Sequence, residues 1–120
     1  MKLLYKNKKI EKICTNLSNA KKFFGNDQKT VLGLYAAVNF IKNSETLYSV
    51  VMKKNLNFHA LQGEYKGCYA MDIVNRKSPW RLIVQILDDD EKVVSKADDL
   101  YSIAKNIKII KVEEVSKHYE

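Results

Sequence analysis

The hydrophobic spacing of the chain changes near residue 56, and this change constrains the fold more than any other feature. Before it, apolar residues recur every three or four positions, which predicts one helix running to Phe24 and a second ending near Asn43. After it, apolar and polar residues alternate in the way that predicts strands. The predicted strands cover residues 56–60, 68–74, 80–87 and 107–115. With a short strand at residues 3–5, this order predicts an α+β domain whose helices cover one face of a sheet.

The segments between these elements carry turn and capping signals. Gly25-Asn26-Asp27 ends the first helix and can cap the second, so the two helices are expected to form an antiparallel hairpin. Residues 44–51 fit either one short helical turn or two, and residues 97–106 fit a short helix. The acidic run 88–91 is expected to be a solvated turn, because no histidine or spaced carboxylate accompanies it as a metal ligand.

Length and composition limit the class of protein. A chain of 120 residues with 46% hydrophobic and 29% charged residues is expected to form one domain over residues 1–120. The first nine residues lack the apolar core of a signal peptide, and no run approaches the roughly 18 apolar residues of a membrane span. We therefore expect a cytoplasmic protein with no membrane partner. Cys14 and Cys68 are expected to be reduced thiols.

Positive charge is concentrated in the first half of the chain. Residues 1–66 contain twelve lysines against four acidic residues, whereas residues 67–120 contain nine lysines and arginines against ten acidic residues. This asymmetry predicts a surface that faces a polyanion, and nucleic acid fits better than a membrane because no basic helix carries Trp or Phe anchors. The alternative is a lysine-rich surface that serves only solvation. The residues predicted to contact RNA are Lys21, Lys22, Lys53, Lys54 and Arg76.

Imidazole, phenol, lysine and arginine side chains stand where RNA cleavage without a metal can use them. That reaction needs a group to take the 2′-hydroxyl proton, cations to hold the phosphate, and a group to protonate the leaving 5′-oxygen. Histidine can fill both proton roles near neutral pH, and arginine binds phosphate through two parallel bonds. The candidates are His59, Lys66, Arg76, Arg81, Lys117, His118 and Tyr119.

The placement of two candidates follows from their apolar neighbours. His59 and Arg81 each alternate with apolar residues, so both are expected on the sheet face that points away from the helices. The competing interpretation is that a strand histidine bonds a backbone carbonyl and that Tyr119 only packs.

Three segments resemble, in the same order, the RelE superfamily of toxins, and most closely its HigB (host-inhibition, or "killer protein") branch. They are the block Phe58-His59-Ala-Leu61-Gln-Gly63-Glu-Tyr-Lys-Gly67-Cys-Tyr-Ala-Met-Asp-Ile73, the strand Trp80-Arg81-Leu-Ile-Val84 and the ending Glu114-Val115-Ser-Lys-His118-Tyr119. The resemblance implies a RelE-like fold over residues 1–120, in which a strand and a helix hairpin pack on a mainly antiparallel sheet of four to five strands. It also implies the toxin of a type II toxin–antitoxin system. Such a toxin is a ribosome-dependent mRNA endonuclease (mRNA interferase) that stops translation without a metal or other cofactor.

The resemblance assigns roles residue by residue. His59 falls at the position of a catalytic histidine and Arg81 at that of a phosphate-binding arginine. His118 and Tyr119 correspond to an ending in which an acidic residue, a tyrosine and a histidine cluster, and Lys66 is expected to add a catalytic cation. The implied partners are a helix-turn-helix antitoxin, the ribosome and its mRNA.

Gln62 departs from the HigB pattern, in which a lysine often precedes the glycine. A neutral amide stabilises a developing dianion less well than a lysine does. This residue therefore favours an alternative, a catalytically inactive or ParE-like binding module that inhibits its target by contact. Residues 88–106 have no clear counterpart in the family, and the oligomeric state and codon preference stay open.

Overall fold

Five strands form the framework of the protein, for which a computed structural model describes residues 1–94 and 99–117. The strands are β1 (Lys2–Tyr5), β2 (His59–Ala60), β3 (Tyr69–Asp72), β4 (Trp80–Leu87) and β5 (Ile109–Lys117). They make one sheet with the order β1-β5-β4-β3-β2. β1 runs parallel to β5, and the other neighbours are antiparallel. The sheet is therefore mixed, and the predicted α+β class is confirmed.

The described helices are α1 (Lys8–Thr15), α2 (Leu17–Phe23), α3 (Gln28–Asn43), α4 (Leu47–Met52) and α5 (Leu100–Ala104). Asn7, Asn16 and Asp27 begin the first three, because each side chain accepts a hydrogen bond from the backbone N–H three residues later. None of the helices within residues 1–94 and 99–117 combines the length and the apolar character needed to cross a bilayer.

The single helix predicted up to Phe24 is wrong in one respect, because it is interrupted at Asn16. The backbone of Asn16 is extended (φ −124°, ψ 119°), and its side chain caps α2 instead of continuing α1. Asparagine favours caps over helix interiors because its amide competes for backbone hydrogen bonds. Leu17, whose spacing from Ile13 and Cys14 predicts it for the apolar face of that helix, is 47% exposed.

The first predicted strand of the second half is mostly wrong. Within residues 56–60 only His59–Ala60 pairs with β3, and Lys54–Leu56 form a 3₁₀ turn. Asn57 then adopts a left-handed conformation with φ 49°, which a regular strand does not accommodate. The predicted bounds of β4 are confirmed. In the predicted helix 97–106, α5 covers Leu100–Ala104, and residues 95–98 lie outside the described residues.

The helices and one face of the sheet form the main core. Alternate side chains of β3, β4 and β5 point into it, among them Met71, Leu82 and Val112. At Gly33 the backbone of α3 comes so close that a Cβ would lie 2.5 Å from Ile73 O, so only glycine fits there. The opposite face buries a smaller cluster formed by Leu61, Ala70 and Ile83.

Candidate functional site

The sheet face opposite the helices, called here the open face, carries His59 and Glu114 in one row. His59 is in register with Ala70, Ala70 with Ile83, and Ile83 with Glu114. Residues in register point to the same face of a sheet, so this row crosses from β2 to β5. Ala70 and Ile83 are fully buried in the middle of it, where Tyr65 of the β2–β3 connection packs against them.

Tyr65 ties the β2–β3 connection to β5. Its hydroxyl donates a hydrogen bond of 2.5 Å to Glu114 Oε2. This bond, with a smaller contribution from burial, raises the pKa of Tyr65 above its ordinary value of 10.0. The phenol therefore stays protonated at neutral pH and keeps its hydrogen-bond donor. The sequence contains a signal for Glu114, in the ending that resembles HigB toxins, but none that singles out Tyr65.

His59 is held in one ring orientation at the edge of the open face. Its Nδ1 lies 2.6 Å from the backbone carbonyl oxygen of Asn57. A carbonyl oxygen only accepts hydrogen bonds, so Nδ1 carries the hydrogen and Nε2 is the basic nitrogen of the neutral ring. The left-handed conformation of Asn57 turns its carbonyl towards the ring two residues later. The hydrogen bond to Asn57 O is compatible with both interpretations of His59. The histidine can serve only to bind a backbone carbonyl, or it can be a base whose tautomer is fixed in advance.

The side chain of Arg81 binds the protein's own backbone. Its Nε lies 3.1 Å from Asp72 Oδ1. Its Nη1 donates to Ser78 O and to Trp80 O, and its Nη2 donates to Arg76 O at 3.1 Å. A guanidinium has only five N–H donors, so these contacts leave no two parallel donors for a bidentate phosphate. Arg81 lies on the open face as expected, but its guanidinium is directed to the β3–β4 loop.

Asp72 provides the buried negative charge beside Arg81. Its side chain is 0% exposed and that of Arg81 is 12% exposed. Among the described residues, neither carboxylate oxygen of Asp72 has a well-directed hydrogen bond, so the contact with Arg81 is an ion pair. A carboxylate buried this deeply is stable only beside a cation. The sheet itself therefore requires the charge of Arg81.

Aromatic rings join the end of α2 to the beginning of β4. The ring centroid of Trp80 lies 4.8 Å from that of Phe24 and 5.4 Å from that of Phe23. Exposed cations lie on the segments that these rings join. Lys21 and Lys22 directly precede Phe23, Arg76 and Lys77 precede Trp80 by four and three residues, and Lys117 Nζ lies 5.3 Å from the Trp80 centroid. We call this surface the cationic end, and its residues are Lys21, Lys22, Arg76, Lys77 and Lys117. The fold thus brings together three of the predicted RNA-binding residues and adds Lys77 and Lys117.

Grooves along α2 make the surface beside the cationic end concave. One, of about 480 Å³, is lined by Lys9, Lys12, Ile13, Asn19, Lys22 and Phe23. A second, of about 550 Å³, also includes Lys22 and adds Lys21. A positively charged groove of this kind concentrates negatively charged ligands.

The other predicted cations lie elsewhere. Lys53 Nζ is 4.8 Å from the ring centroid of Phe40, near the end of α3, and Lys54 begins the adjoining 3₁₀ turn. Phe40 is about 18 Å along the helix from the first residue of α3, at ~1.5 Å per residue. Lys53 is therefore not part of the cationic end, which adjoins the beginning of α3. Lys66 is exposed in the β2–β3 connection, directly after Tyr65.

Metal-binding and thiol groups offer little chemistry in the described part of the chain. Within residues 1–94 and 99–117, no three His, Cys, Asp or Glu side chains are grouped closely enough to hold a metal ion. The acidic run 88–91 is a turn as predicted, in which Asp88 Oδ1 accepts hydrogen bonds from Asp90 N and Lys92 N. Both cysteines are free thiols, and burial raises the pKa of Cys14 to about 12.

His118 and Tyr119, predicted as catalytic residues, lie outside the described residues. Comparison with known protein families, with curated proteins and with solved structures finds no significant match to this chain. The likeness to RelE and HigB toxins therefore stays a prediction from the sequence, and the function has to be argued from the site.

Proposed function

We propose that this protein is a HigB-like toxin of a type II toxin–antitoxin system that cleaves mRNA on the ribosome. The observation that carries the proposal is the state of His59. Its ring is oriented by Asn57, its basic nitrogen is Nε2, and it stands on the open face in the row that ends at Glu114. A base with a preset tautomer is what removal of a 2′-hydroxyl proton requires.

The proposed reaction is an internal transesterification. His59 Nε2 takes the proton of the 2′-hydroxyl, the 2′-oxygen bonds to phosphorus, and the bond from phosphorus to the 5′-oxygen breaks. A second proton goes to the departing 5′-oxygen, a role that the sequence predicts for His118 or Tyr119. Lys66, exposed on the connection next to the open face, offsets charge on the phosphate oxygens. The products are a 2′,3′-cyclic phosphate and a 5′-hydroxyl.

The proposed partners follow from the same resemblance and from the charge of the molecule. A ribosome-bound mRNA and ribosomal RNA are polyanions that the cationic end can attract from solution. A helix-turn-helix antitoxin encoded with the toxin would neutralise it. Such a protein would act in the cytoplasm.

A second candidate function is a binding module on the same fold that inhibits its target without cleaving RNA. Two observations favour it. Gln62 is a neutral residue where HigB toxins often have lysine, and the guanidinium of Arg81 is directed to backbone carbonyls. Both features weaken phosphate binding, and in the sequence of the β2–β3 connection, residues 61–68, Lys66 is the one cation.

The experiment that separates the two functions compares wild-type protein with His59→Asn. Asparagine can still donate a hydrogen bond to Asn57 O, but it cannot take a proton, so the variant can keep this hydrogen bond and loses the base. We expect wild-type protein to cut mRNA on translating ribosomes, and His59→Asn to cut it about 100- to 10,000-fold more slowly. Cleavage sites and rates are read by mapping new 5′ ends in a single-turnover reaction.

Two other outcomes would contradict the proposed reaction or the role of His59 in it. Translation arrest by both proteins without new 5′ ends would support the binding module. Equal cleavage by both would remove His59 from the reaction. Folding of the variant is checked by its melting temperature and by ribosome co-sedimentation, which should match those of the wild type.

A further inference from the structure

The hydrogen bonds of Arg81 converge on one short segment, the loop between β3 and β4. The carbonyl groups that accept them belong to Arg76, Ser78 and Trp80, and that of Asn75 lies at 3.5 Å. These carbonyl oxygens all point towards one guanidinium, and this restricts the conformation of the backbone to which they belong. The side chain of Arg81 therefore ties together the backbone of the loop and the first residue of β4.

The loop is braced from its other side by Asn75. The side-chain oxygen of Asn75 accepts hydrogen bonds from Lys77 N at 2.9 Å and from Ser78 N at 3.0 Å. This is an Asx turn, which closes the backbone locally. Because the backbone polar groups face inward, the side chains of Arg76 and Lys77 are exposed on the outside. Their loop leads into Trp80, whose ring packs against Phe23 at the end of α2, the helix that carries Lys21 and Lys22.

We infer that Arg81 is a positioning residue, which holds the β3–β4 loop so that Arg76 and Lys77 bind the phosphate backbone of single-stranded RNA at the cationic end. The identity of the ligand rests on the proposed function. The role of Arg81 rests on its contacts. Arg81 does not touch the RNA; it acts through the two cations that the loop presents.

The aromatic rings favour single-stranded RNA over an acidic protein as the ligand. Phe23 and Trp80 are only half-buried, and Lys117 Nζ lies 5.3 Å from the Trp80 ring centroid. Proteins that bind single strands combine a cationic groove for the backbone with aromatic faces for the bases. An acidic peptide needs the cations alone.

The test is the salt dependence of RNA binding by a charge-conserving variant. Binding of a fluorescently labelled oligouridylate is followed by anisotropy over a series of salt concentrations. Each phosphate contact adds about 0.7 to the slope of log affinity against log salt for single strands. We expect Arg76→Ala with Lys77→Ala to lower the slope by about 1.4, since two contacts are lost. Arg81→Lys should lower it by a similar amount, although the net charge is unchanged.

Two variants separate positioning from general loss of structure. In the Arg76→Ala, Lys77→Ala background, Arg81→Lys should leave the slope unchanged, whereas a general loss of structure would lower the slope further in that background as well. Asn75→Ala releases the Asx turn at an exposed site without changing charge. It should also lower the slope, and it keeps the test decisive if Arg81→Lys does not fold.

The matched control is Lys108→Ala. Lys108 is exposed beside the first residue of β5, about 30 Å from Lys117 at ~3.3 Å per residue. Its removal takes away one charge far from the cationic end and should leave the slope unchanged.

Three results would overturn the inference. The first is that Arg81→Lys and Asn75→Ala both keep the wild-type slope of log affinity against log salt. Another is absence of oligouridylate binding by the wild type. The third is equal competition by poly-glutamate of the same charge, which would assign the surface to an acidic protein. None of these depends on cleavage, so a protein that arrests translation but fails here loses only this inference. If the salt slopes of the variants are as expected but the protein does not arrest translation, only the proposed function is contradicted.

Discussion

On the open face, Tyr65 and His59 form hydrogen bonds within the protein, whereas the five cations of the cationic end are exposed. Tyr65 donates to Glu114, and Nδ1 of His59 is bonded to Asn57 O. The five cations of the cationic end stand instead on elements that are fixed by other residues, namely the aromatic cluster and Arg81. Oriented groups suit proton transfer, which depends on geometry. Exposed charges suit attraction of a polyanion, which depends mainly on number and sign.

Asp72 and Arg81 connect the two regions, and this connection gives the largest expected effect. Asp72→Asn removes the buried anion that is paired with Arg81 and leaves the mostly buried guanidinium without its counter-charge. We expect the free energy of unfolding to fall by about 3 kcal/mol. We expect no larger loss of stability, because in this variant Arg81 can still donate hydrogen bonds to its backbone carbonyl acceptors. Urea unfolding at neutral pH measures it.

The control for Asp72→Asn is Glu45→Gln, the same change of charge at an exposed site. It should change the unfolding free energy by about 0.5 kcal/mol or less. If Asp72→Asn is as stable as this control, the ion pair does not join the regions. If it loses stability but keeps the full salt slope of RNA binding, Arg81 holds the loop at the cationic end without help from Asp72.

Charge reversal tests the cationic end by itself. Lys21→Glu with Lys22→Glu should weaken ribosome association by about tenfold, or ~1.4 kcal/mol, at low salt. The effect should shrink as salt rises, because the ions of the solution screen exposed charges. Co-sedimentation with ribosomes over a salt series provides the measurement.

The same reversal at Lys53 and Lys54 shows how far the RNA-binding surface extends. Lys53 lies against Phe40, near the end of α3, so we expect a smaller loss of ribosome association there. An equal loss at both sites would mean that attraction follows net charge alone and that the cationic end has no special part in it.

Removal of the Tyr65 hydroxyl should give the smallest effect. Tyr65→Phe loses the hydrogen bond to Glu114 and should lower the free energy of unfolding by about 1 kcal/mol. The pKa of Tyr65 is raised in the folded protein, so this stabilisation is complete below pH 10.0, the ordinary value for tyrosine. It is lost as the pH rises through the higher folded pKa. The difference between wild type and variant should therefore be constant from neutral pH to about pH 9 and shrink above it.

Unfolding curves at several alkaline pH values check this prediction. Other tyrosines also have raised pKa values, among them Tyr5 at about 12, so the wild type alone is not informative. The difference from Tyr65→Phe isolates one phenol. A difference that grows above pH 10 would contradict the assigned role of this hydroxyl.

Much of the secondary structure was predictable from the sequence, because the direction of a side chain repeats with the backbone of its own element. The bounds of β4 and the end of α3 at Asn43 follow from apolar spacing alone. Local spacing failed where a single residue prefers a different backbone. Asn16 caps a new helix, and Asn57 takes a left-handed conformation that shortens β2.

The sequence by itself determined the α+β class, most of the helical and extended segments, and the excess of positive charge in the first half. The tertiary structure alone decided which distant groups meet. Tyr65 reaches Glu114 across 49 positions, and the packing of Trp80 on Phe23 and Phe24 joins the beginning of β4 to the end of α2. Arg81 was placed on the correct face by alternation, but the carbonyls around its guanidinium were not predictable. The physical reason is that periodicity reports only the orientation of a side chain relative to its own strand. Its partners depend on how separate elements pack.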